Sequence, residues 1–548
     1  MQFNLFGIAT ANKITIEQAA KTAQVSVATI RNWIKTGYLK QEAKGSVTQA
    51  SFNSFMQHIA GKEKLHARAN KLSKNSHNHT EASKSIDYLI EIFTGENIGL
   101  AYENSLTEAY RNKEGIYYTP PAIVRDMLSN ITIHSNATFL DPCCGSGNFV
   151  IQAIQSGIPP QNIYGFDVDE NAVAITKNRI KQTFGFDSPN IIVGDFLQET
   201  TTLTKAHTTF DYIFTNPPWG KKIDKSTKEK FAEIYKCGNS LDTTSLFMGA
   251  SLHLLKPNGI LGFLIQEAFF NITAFEDIRK KVLAKNVLKF IDYGKAFKGL
   301  VTKAQAIILE NTPATAENKI TCIVENSTHY RSFNSFNENP KTIFNFSTSE
   351  EESLVIQKLY TTAHITLKNK AQWALGIVTG NNQKFCNNTP KEGYIPIYKG
   401  SDITKTGLKK PRIFIENNFA NFQQVAPLKM YLAQEKLIYK FISSNLCFYC
   451  DTQQQYILNS ANLLIPTNIG ISGKQLAELL NSEIINWLFN KLFATHKVLR
   501  SDLELLPIHT GYFAAFQEFT EHNYLNYLQI TKSKHGTFSV KNVCNYWQ

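Results

Sequence analysis

No run of this 548-residue chain is long and apolar enough to cross a bilayer. The nearest approach, residues 251–270, is broken by Lys256, Pro257, Asn258 and Glu267, which ~30 Å of hydrocarbon would not accept unpaired. Residues 1–13 have no basic start, long apolar core or small-residue cleavage site, so no export signal is expected. Cysteine is sparse, eight in all, and lacks the rhythm of a disulfide framework. These absences fit a reducing cytoplasm and leave no membrane role. Cys447 and Cys450 stand without a second pair to complete a zinc site, and His77-Asn78-His79 sits in a polar stretch with no ββα pattern around it. No metal site is expected. The chain also lacks internal repeats and both phosphate-cradling patterns, GxGxxG and GxxxxGK[ST]. Negative charge is the scarcer sign: 45 Asp and Glu face 57 Lys and Arg, a net charge of +12. That excess favours an anionic partner, of which nucleic acid is the commonest.

What is present is apolar material, 43% of residues, sufficient for about three or four domains of ~150 residues. Residues 1–60 form a first region in which Ile16, Ala19, Ala20, Val25, Val27, Ile30, Trp33 and Ile34 recur at helical spacing. Two short helices with a tight break are expected, Ser26 capping the second and Gly37 ending it. Residues 61–85 are rich in Lys, Asn, Ser and His and read as a polar linker. From 86 to 346, strand-like runs alternate with helical patterns. The expected strands are 138–140, 162–167, 191–193, 212–215, 260–265 and 287–293, an α/β arrangement with a mostly parallel sheet and helices on both faces. Residues 347–548 turn to short aromatic and β-branched runs broken by Gly, Asn and Pro, as in a separate α+β domain.

The first strand of the α/β region leads into Asp141-Pro142-Cys143-Cys144-Gly145-Ser146-Gly147-Asn148-Phe149 and an apolar helix. Open parallel sheets bind ligands where strands give way to helices. Gly145 and Gly147 let the backbone approach a ligand that side chains would block, and Cys143 lies in the same turn. Asp141 would repel a pyrophosphate but attract an aminium or sulfonium group. The next strand ends on Asp167, placed to accept hydrogen bonds from two ribose hydroxyls. A third ends in Gly194-Asp195-Phe196, where Asp195 would accept from an adenine amine and Phe196 would stack on the ring. One such carboxylate alone is more often a helix cap. Three at successive strand ends favour a ligand site over helix caps.

The strand 212–215 runs into Asn216-Pro217-Pro218-Trp219. Adenine's exocyclic nitrogen is a poor nucleophile because its lone pair is delocalised into the ring. Two acceptors facing its N–H bonds would draw that pair out of conjugation and stabilise the positive charge that develops. The side-chain oxygen of Asn216 and the carbonyl of Pro217 can supply them. Pro217 and Pro218 fix φ and pre-aim the loop. Trp219 offers a flat face to an extruded base, and stacking is worth about 1–3 kcal/mol. A sulfonium donor is already activated, so neither metal nor covalent nucleophile is needed. The plainer alternative, a proline turn with a core tryptophan, loses ground to the motifs upstream.

In this order the motifs resemble those of the adenine-N6 DNA methyltransferases of restriction–modification type, in which cofactor motif, catalytic motif and target recognition domain follow one another. The resemblance covers residues 86–313 by motif and implies a Rossmann-like S-adenosylmethionine-dependent methyltransferase domain. Tyr117-Tyr118-Thr119-Pro120 looks like the family's additional cofactor motif, which implies that Tyr118, Thr119 and Pro120 line the methionine end. Phe297 resembles a family aromatic that packs against the flipped base. The chain departs from the usual pattern in carrying Trp219 where Tyr or Phe is common, and Gln266-Glu267 where a proline follows the strand.

The flanks resemble DNA-reading parts. Residues 16–39 look like the helix-turn-helix of MerR-type regulators, which directs Thr29, Arg31 and Lys35 at a major groove. The carboxy-terminal region resembles target recognition domains and type I specificity modules. There Lys399, Lys405, Lys409, Lys410, Arg412, Lys440, Lys497 and Arg500 are candidates for phosphates or base edges. The expected function is site-specific adenine-N6 methylation of double-stranded DNA, as the modification component of a restriction–modification system with any endonuclease as a separate partner. A bifunctional restriction–modification enzyme would need two carboxylates and a lysine on adjacent strands, and the short region before Tyr117 holds no convincing such cluster. A non-catalytic regulator built on the helix-turn-helix leaves the Asn216 loop without a use.

Overall fold

The computed structural model describes residues 13–23, 27–35, 39, 41–43, 45–58, 96–105, 117–129, 131–297, 300, 302–493 and 497–541. Ser26, Gly37, the 61–85 linker and its His77-Asn78-His79 lie outside the described residues. The chain divides into two compact units, residues 1–105 and 106–548.

In the first unit, β1 (Lys13–Thr15) runs into the helix Ile16–Thr22, followed by the helix Val27–Lys35. The strands β2 (Gln41–Ala43) and β3 (Ser46–Thr48) and the helices Gln49–His58 and Glu96–Ser105 complete it. Thr15 starts the first helix with a reciprocal cap: its hydroxyl accepts from Gln18 N–H while the Gln18 side chain accepts from Thr15 N–H. Ile16, Ala19, Ala20, Ile30 and Trp33 close on Val47 and Phe52 as a small core. The two expected helices are present. The sheet, ordered β1-β3-β2, was not expected, because three-residue strands are too short to show alternation.

The second unit is built on a nine-stranded mixed sheet. Its strands are β4 (Phe139–Asp141), β5 (Ile163–Asp167), β6 (Ile191–Val193), β7 (Phe210–Thr215) and β8 (Leu255–Gln266). They continue as β9 (Lys285–Asp292), β10 (Ala304–Pro313), β11 (Lys319–Val324) and β12 (Ser327–Ser332). The spatial order is β12-β11-β9-β10-β8-β7-β4-β5-β6. Strands β4 to β8 are parallel, β10 runs antiparallel between β8 and β9, and β12 turns back on β11. The order reverses at β4, which has β5 on one side and β7 on the other, so the crevice for a ligand opens at the carboxyl ends of β4 and β7. One face packs on a core rich in phenylalanine, including Phe196, Phe210, Phe263 and Phe290. The other packs on Val124, Met127, Phe139, Phe149 and Phe214. All six expected strands form. The hairpin β11–β12 escaped notice because Glu325 and Asn326 take φ of 50° and 66° at its turn, positions where glycine usually advertises such a turn.

Beyond residue 349 the chain forms two four-stranded sheets and a helical layer that includes Gly473–Leu480 and Glu483–Phe493, an α+β arrangement. Two fully buried arginines pin the connecting stretch 333–349. Arg279 donates to the carbonyls of Phe269, Ile272, Lys341 and Thr342 at 2.7–2.9 Å. Arg331 donates to the carbonyls of Asn345 and Thr348 and to Ser335. A charge removed from water needs this full set of acceptors. Cys447 and Cys450 are free thiols, and among the described residues no group of side chains is arranged to hold a metal. No described helix is long and apolar enough to cross a membrane.

Candidate active site

The carboxyl ends of β4, β5 and β7 bring the expected groups to one place. A pocket there is lined by Tyr117, Tyr118, Thr119, Asp141, Cys143, Gly145 and Asn216, among others. Asp141 ends β4 and is 1% exposed. Its Oδ1 accepts from the Thr215 hydroxyl at 2.7 Å and from Cys143 N–H at 3.1 Å, and among the described residues Oδ2 has no hydrogen-bond partner. Burial pushes this carboxyl up to about 7, against the two hydrogen bonds, with the charge of Asp167 adding to the rise. Asp167, at the end of β5, is pushed up to about 6 by burial. Its two oxygens accept from Asp169 N–H and Gly145 N–H at 2.9 Å each, and each keeps a second lone pair for another donor. The Cys143 and Cys144 thiols are held neutral by burial and by these two carboxylates.

Backbone geometry explains the glycines. Gly145 (φ 50°) and Gly147 (φ 87°) occupy the left-handed region, and a Cβ on either would lie 2.7 Å from the Tyr118 ring or 2.8 Å from the Thr176 hydroxyl. The turn is held from outside by groups the sequence did not flag. Thr176 donates to the Gly145 carbonyl at 2.8 Å, and buried Arg179 donates to the Ser146 carbonyl and to Asn148 Oδ1. Asn148 in turn donates to the Thr119 carbonyl at 2.8 Å, which ties the Tyr117–Pro120 segment to the glycine turn. These are long-range contacts from a helix interior, and no local spacing betrays them. Thr215 was missed too, although its place immediately before Asn216 was the available signal. So was Val168, 56% exposed beside Asp167, an apolar face where a planar ring can rest.

Asn216 is the centre of the arrangement. Its Nδ2 donates to the Tyr117 carbonyl at 2.9 Å. A carbonyl can only accept, so the amide orientation is fixed by its partner. The other end, Oδ1, is buried with no hydrogen-bond partner among the described residues. A buried acceptor left unmade costs about 1–3 kcal/mol. Such an atom is poised to receive an N–H that arrives with a ligand.

The aromatic residues differ in part from expectation. Trp219 is 9% exposed and meets Phe297 edge to face, with ring centroids 5.2 Å apart at 88°. Tyr117 closes the cluster at 5.7 Å from Phe297 and 6.4 Å from Trp219. The open face expected of Trp219 is therefore covered. Phe196 is corrected more strongly: its ring is 1% exposed and lies in the core against Phe166 and Phe247, so it offers no stacking face. It opens a helix, where its apolar side chain is turned inward, while Asp195 Oδ1 caps that helix by accepting from Leu197 N–H at 3.0 Å. Pro217 is buried and Pro218 half-buried, as a stiff loop requires.

The candidate DNA contacts fall in separate places. Arg31 is exposed on the helix Val27–Lys35, and the side chains of Thr29 and Lys35 lie outside the described residues. Lys399, Lys409 and Lys410 are exposed around the hairpin Ile403–Thr404 and Gly407–Leu408, with Lys409 donating to the Ser401 carbonyl at 2.9 Å and Lys405 to that of Asn481 at 2.8 Å. Lys497 and Arg500 are exposed on a different segment, Arg500 opening the short helix Arg500–Leu503 and paired with Glu504 at 2.8 Å.

Comparison with known proteins agrees with this geometry. Residues 94–372 match the family described as N-6 DNA Methylase, and residues 395–508 match a TaqI-like C-terminal specificity domain. The chain is 45% identical over 409 residues to the Type II methyltransferase M.VspI of Vibrio sp. (strain 343), covering 74% of this chain and 100% of that one. It is 28% identical over 221 residues to the modification methylase CviBIII of Paramecium bursaria Chlorella virus NC1A, covering 39% of this chain and 55% of the relative. Among solved structures, the DrdV–DNA complex has the same fold with a TM-score of 0.52 at 12% identity, covering 91% of this chain and 64% of that one.

Proposed function

We propose, on the premise that this chain belongs to the N-6 DNA methylase family and is a DNA adenine-N6 methyltransferase, that Asn216 Oδ1 and the Pro217 carbonyl receive the amine of an adenine swung out of the duplex. What carries this reading is the buried, unpartnered Oδ1, oriented by the Tyr117 carbonyl behind it. The surrounding residues suit S-adenosylmethionine: an Asp141 carboxylate oxygen with no partner among the described residues for a cationic end, a glycine turn that a Cβ would fill, and Asp167 with a second lone pair on each oxygen for a ribose. When bound, that cofactor supplies a methyl group already activated on a sulfonium. Tyr118, Thr119 and Pro120 wall the methionine end, while Val168 and Asp195 face the adenine end. Two acceptors on the target amine hold its protons and free its lone pair, so charge developing on nitrogen meets preorganised oxygen rather than water.

Trp219 and Phe297 take the base between them. A ring inserted in a parallel sandwich needs about 7 Å between flanking rings, twice a van der Waals contact, so Phe297 must swing off Trp219 when the base enters. Trp219→Ala is expected to weaken capture of the base by about 10- to 100-fold, the range that stacking energies imply, while cofactor affinity stays unchanged. A duplex with 2-aminopurine at the target position would report the loss as a reduced fluorescence rise. An undiminished rise would exclude Trp219 as the platform.

The reading assigns residues 1–60 to an accessory helix-turn-helix, 61–85 to a linker, 86–346 to catalysis and 347–548 to recognition of the DNA sequence. It makes the protein the modification component of a cytoplasmic restriction–modification system, paired with a separate endonuclease. The test is transfer of labelled methyl from S-adenosylmethionine by the full chain, offered DNA and RNA in parallel, with single-molecule sequencing of the product. N6-methyladenine at one recurring DNA sequence is expected. Label confined to RNA, to cytosine or to no nucleic acid would overturn the reading.

A further inference from the structure

We infer that Ile442 is a wedge that enters the DNA stack as the target adenine leaves it, an inference that rests on the function proposed above. Ile442 is 65% exposed, the highest value among the large apolar side chains described. It lies on the loop following the strand Lys436–Lys440, in the region matched by the specificity domain. Seating this side chain in a partner would remove its apolar surface from water, at a gain of about 25 cal/mol per Å².

The loop is held at both ends. Phe441 N–H donates to the Ser460 carbonyl at 3.1 Å, and Val498 N–H donates to the Phe441 carbonyl at 2.8 Å. Leu446 N–H donates to Asn486 Oδ1 at 2.6 Å, and Ile442 itself bridges Lys497. A second exposed apolar side chain, Leu499, and the exposed cations Lys497 and Arg500 lie on the facing segment, with Lys440 at the loop's root. An apolar tip between cations is the form of side chains that push between base steps while phosphates are held on either side.

Its place in the fold ties it to the catalytic edge. Phe493, four residues before Lys497, receives a hydrogen bond at 3.0 Å from Asn271. Asn271 ends the short helix Ala268–Asn271 that follows β8, the neighbour of the strand that delivers Asn216. Four residues of chain span at most ~14 Å, so Lys497, the residue that Ile442 bridges, stands within that reach of Phe493 and its bond to Asn271. An extruded base leaves a gap in the stack, and an apolar group that fills it disfavours return of the base.

The test uses the full chain and a duplex carrying the methylated sequence found by sequencing. With 2-aminopurine at the target, Ile442→Ala is expected to lose most of the fluorescence rise, and methylation of paired DNA to fall about tenfold. On a duplex with an abasic site opposite the target, where re-pairing is impossible, the variant should return to within about twofold of the unsubstituted protein. Ile442→Leu should behave as the unsubstituted protein, and so should Tyr330→Ala, which removes an equally exposed ring from the far-edge strand β12. An Ile442→Ala protein with normal fluorescence and turnover overturns the wedge, and so does a loss that is equal on paired and abasic duplexes. If the unsubstituted protein methylates no DNA, the function proposed above falls and the wedge with it.

Discussion

Replacing Asn216 by alanine is expected to lower the single-turnover rate of methyl transfer by about 10²- to 10³-fold, the cost of removing one preorganised group that meets developing charge. Affinity for cofactor and for DNA should change little. The asymmetry follows from where Asn216 acts. Its Nδ2 is committed to the Tyr117 carbonyl, so of the two amide atoms only Oδ1 is left to meet a substrate. Its Oδ1 has no bond to lose among the described residues, and gains one when an amine arrives. An interaction made late on the reaction path appears in kcat and not in KM. Asn216→Asp keeps an acceptor of the same size but sets a carboxylate oxygen against the Tyr117 carbonyl, so it should misplace the acceptor and recover only part of the rate. Near-normal turnover in the alanine variant would remove Asn216 from the reaction.

The sequence disclosed this centre because its parts are local. A strand ending in Asn-Pro-Pro-Trp, and a glycine turn flanked by aspartates, are written in consecutive residues, and alternating strands and helices then dictate that they meet at one edge of the sheet. What it concealed is the scaffolding. Arg179, Thr176 and Asn148 reach the glycine turn and the Tyr117–Pro120 segment across distances of roughly 30 residues, with no periodicity to announce them. The same reasoning explains Phe196. Following an aspartate at a strand end, it reads as a ligand contact, but the first turn of its helix points into the core, and packing against Phe166 and Phe247 decides the outcome. Trp219 was expected to offer an open face, and only the fold shows that Phe297, 78 residues later, lies across it.

Asp141→Asn is expected to make the cofactor-free protein more stable while weakening its hold on S-adenosylmethionine by at least about tenfold, one charge-dependent pKa unit. Asparagine keeps an oxygen for the Thr215 hydroxyl and for Cys143 N–H, so the turn need not rearrange. What it removes is a buried charge. The carboxyl has a pKa of about 7 in the folded chain, against an ordinary value of 3.8. A carboxyl raised on folding binds its proton more tightly in the native state. Its contribution is therefore most favourable below pH ~4 and is lost as pH rises to ~7, by an amount of order 4 kcal/mol. A bound aminium or sulfonium reverses the balance by stabilising the anion, so protons compete with cofactor and affinity should fall as pH drops below ~7. Asp167 adds a similar but smaller effect in a lower window, since its pKa is about 6, and it is common to both proteins. The difference between unsubstituted and Asp141→Asn proteins thus reports Asp141 together with its coupling to Asp167. Chemical denaturation across pH 5 to 8, with calorimetric titration of cofactor over the same range, reads both quantities. Parallel pH profiles for the two proteins would show that Asp141 neither carries the buried charge nor receives the cation.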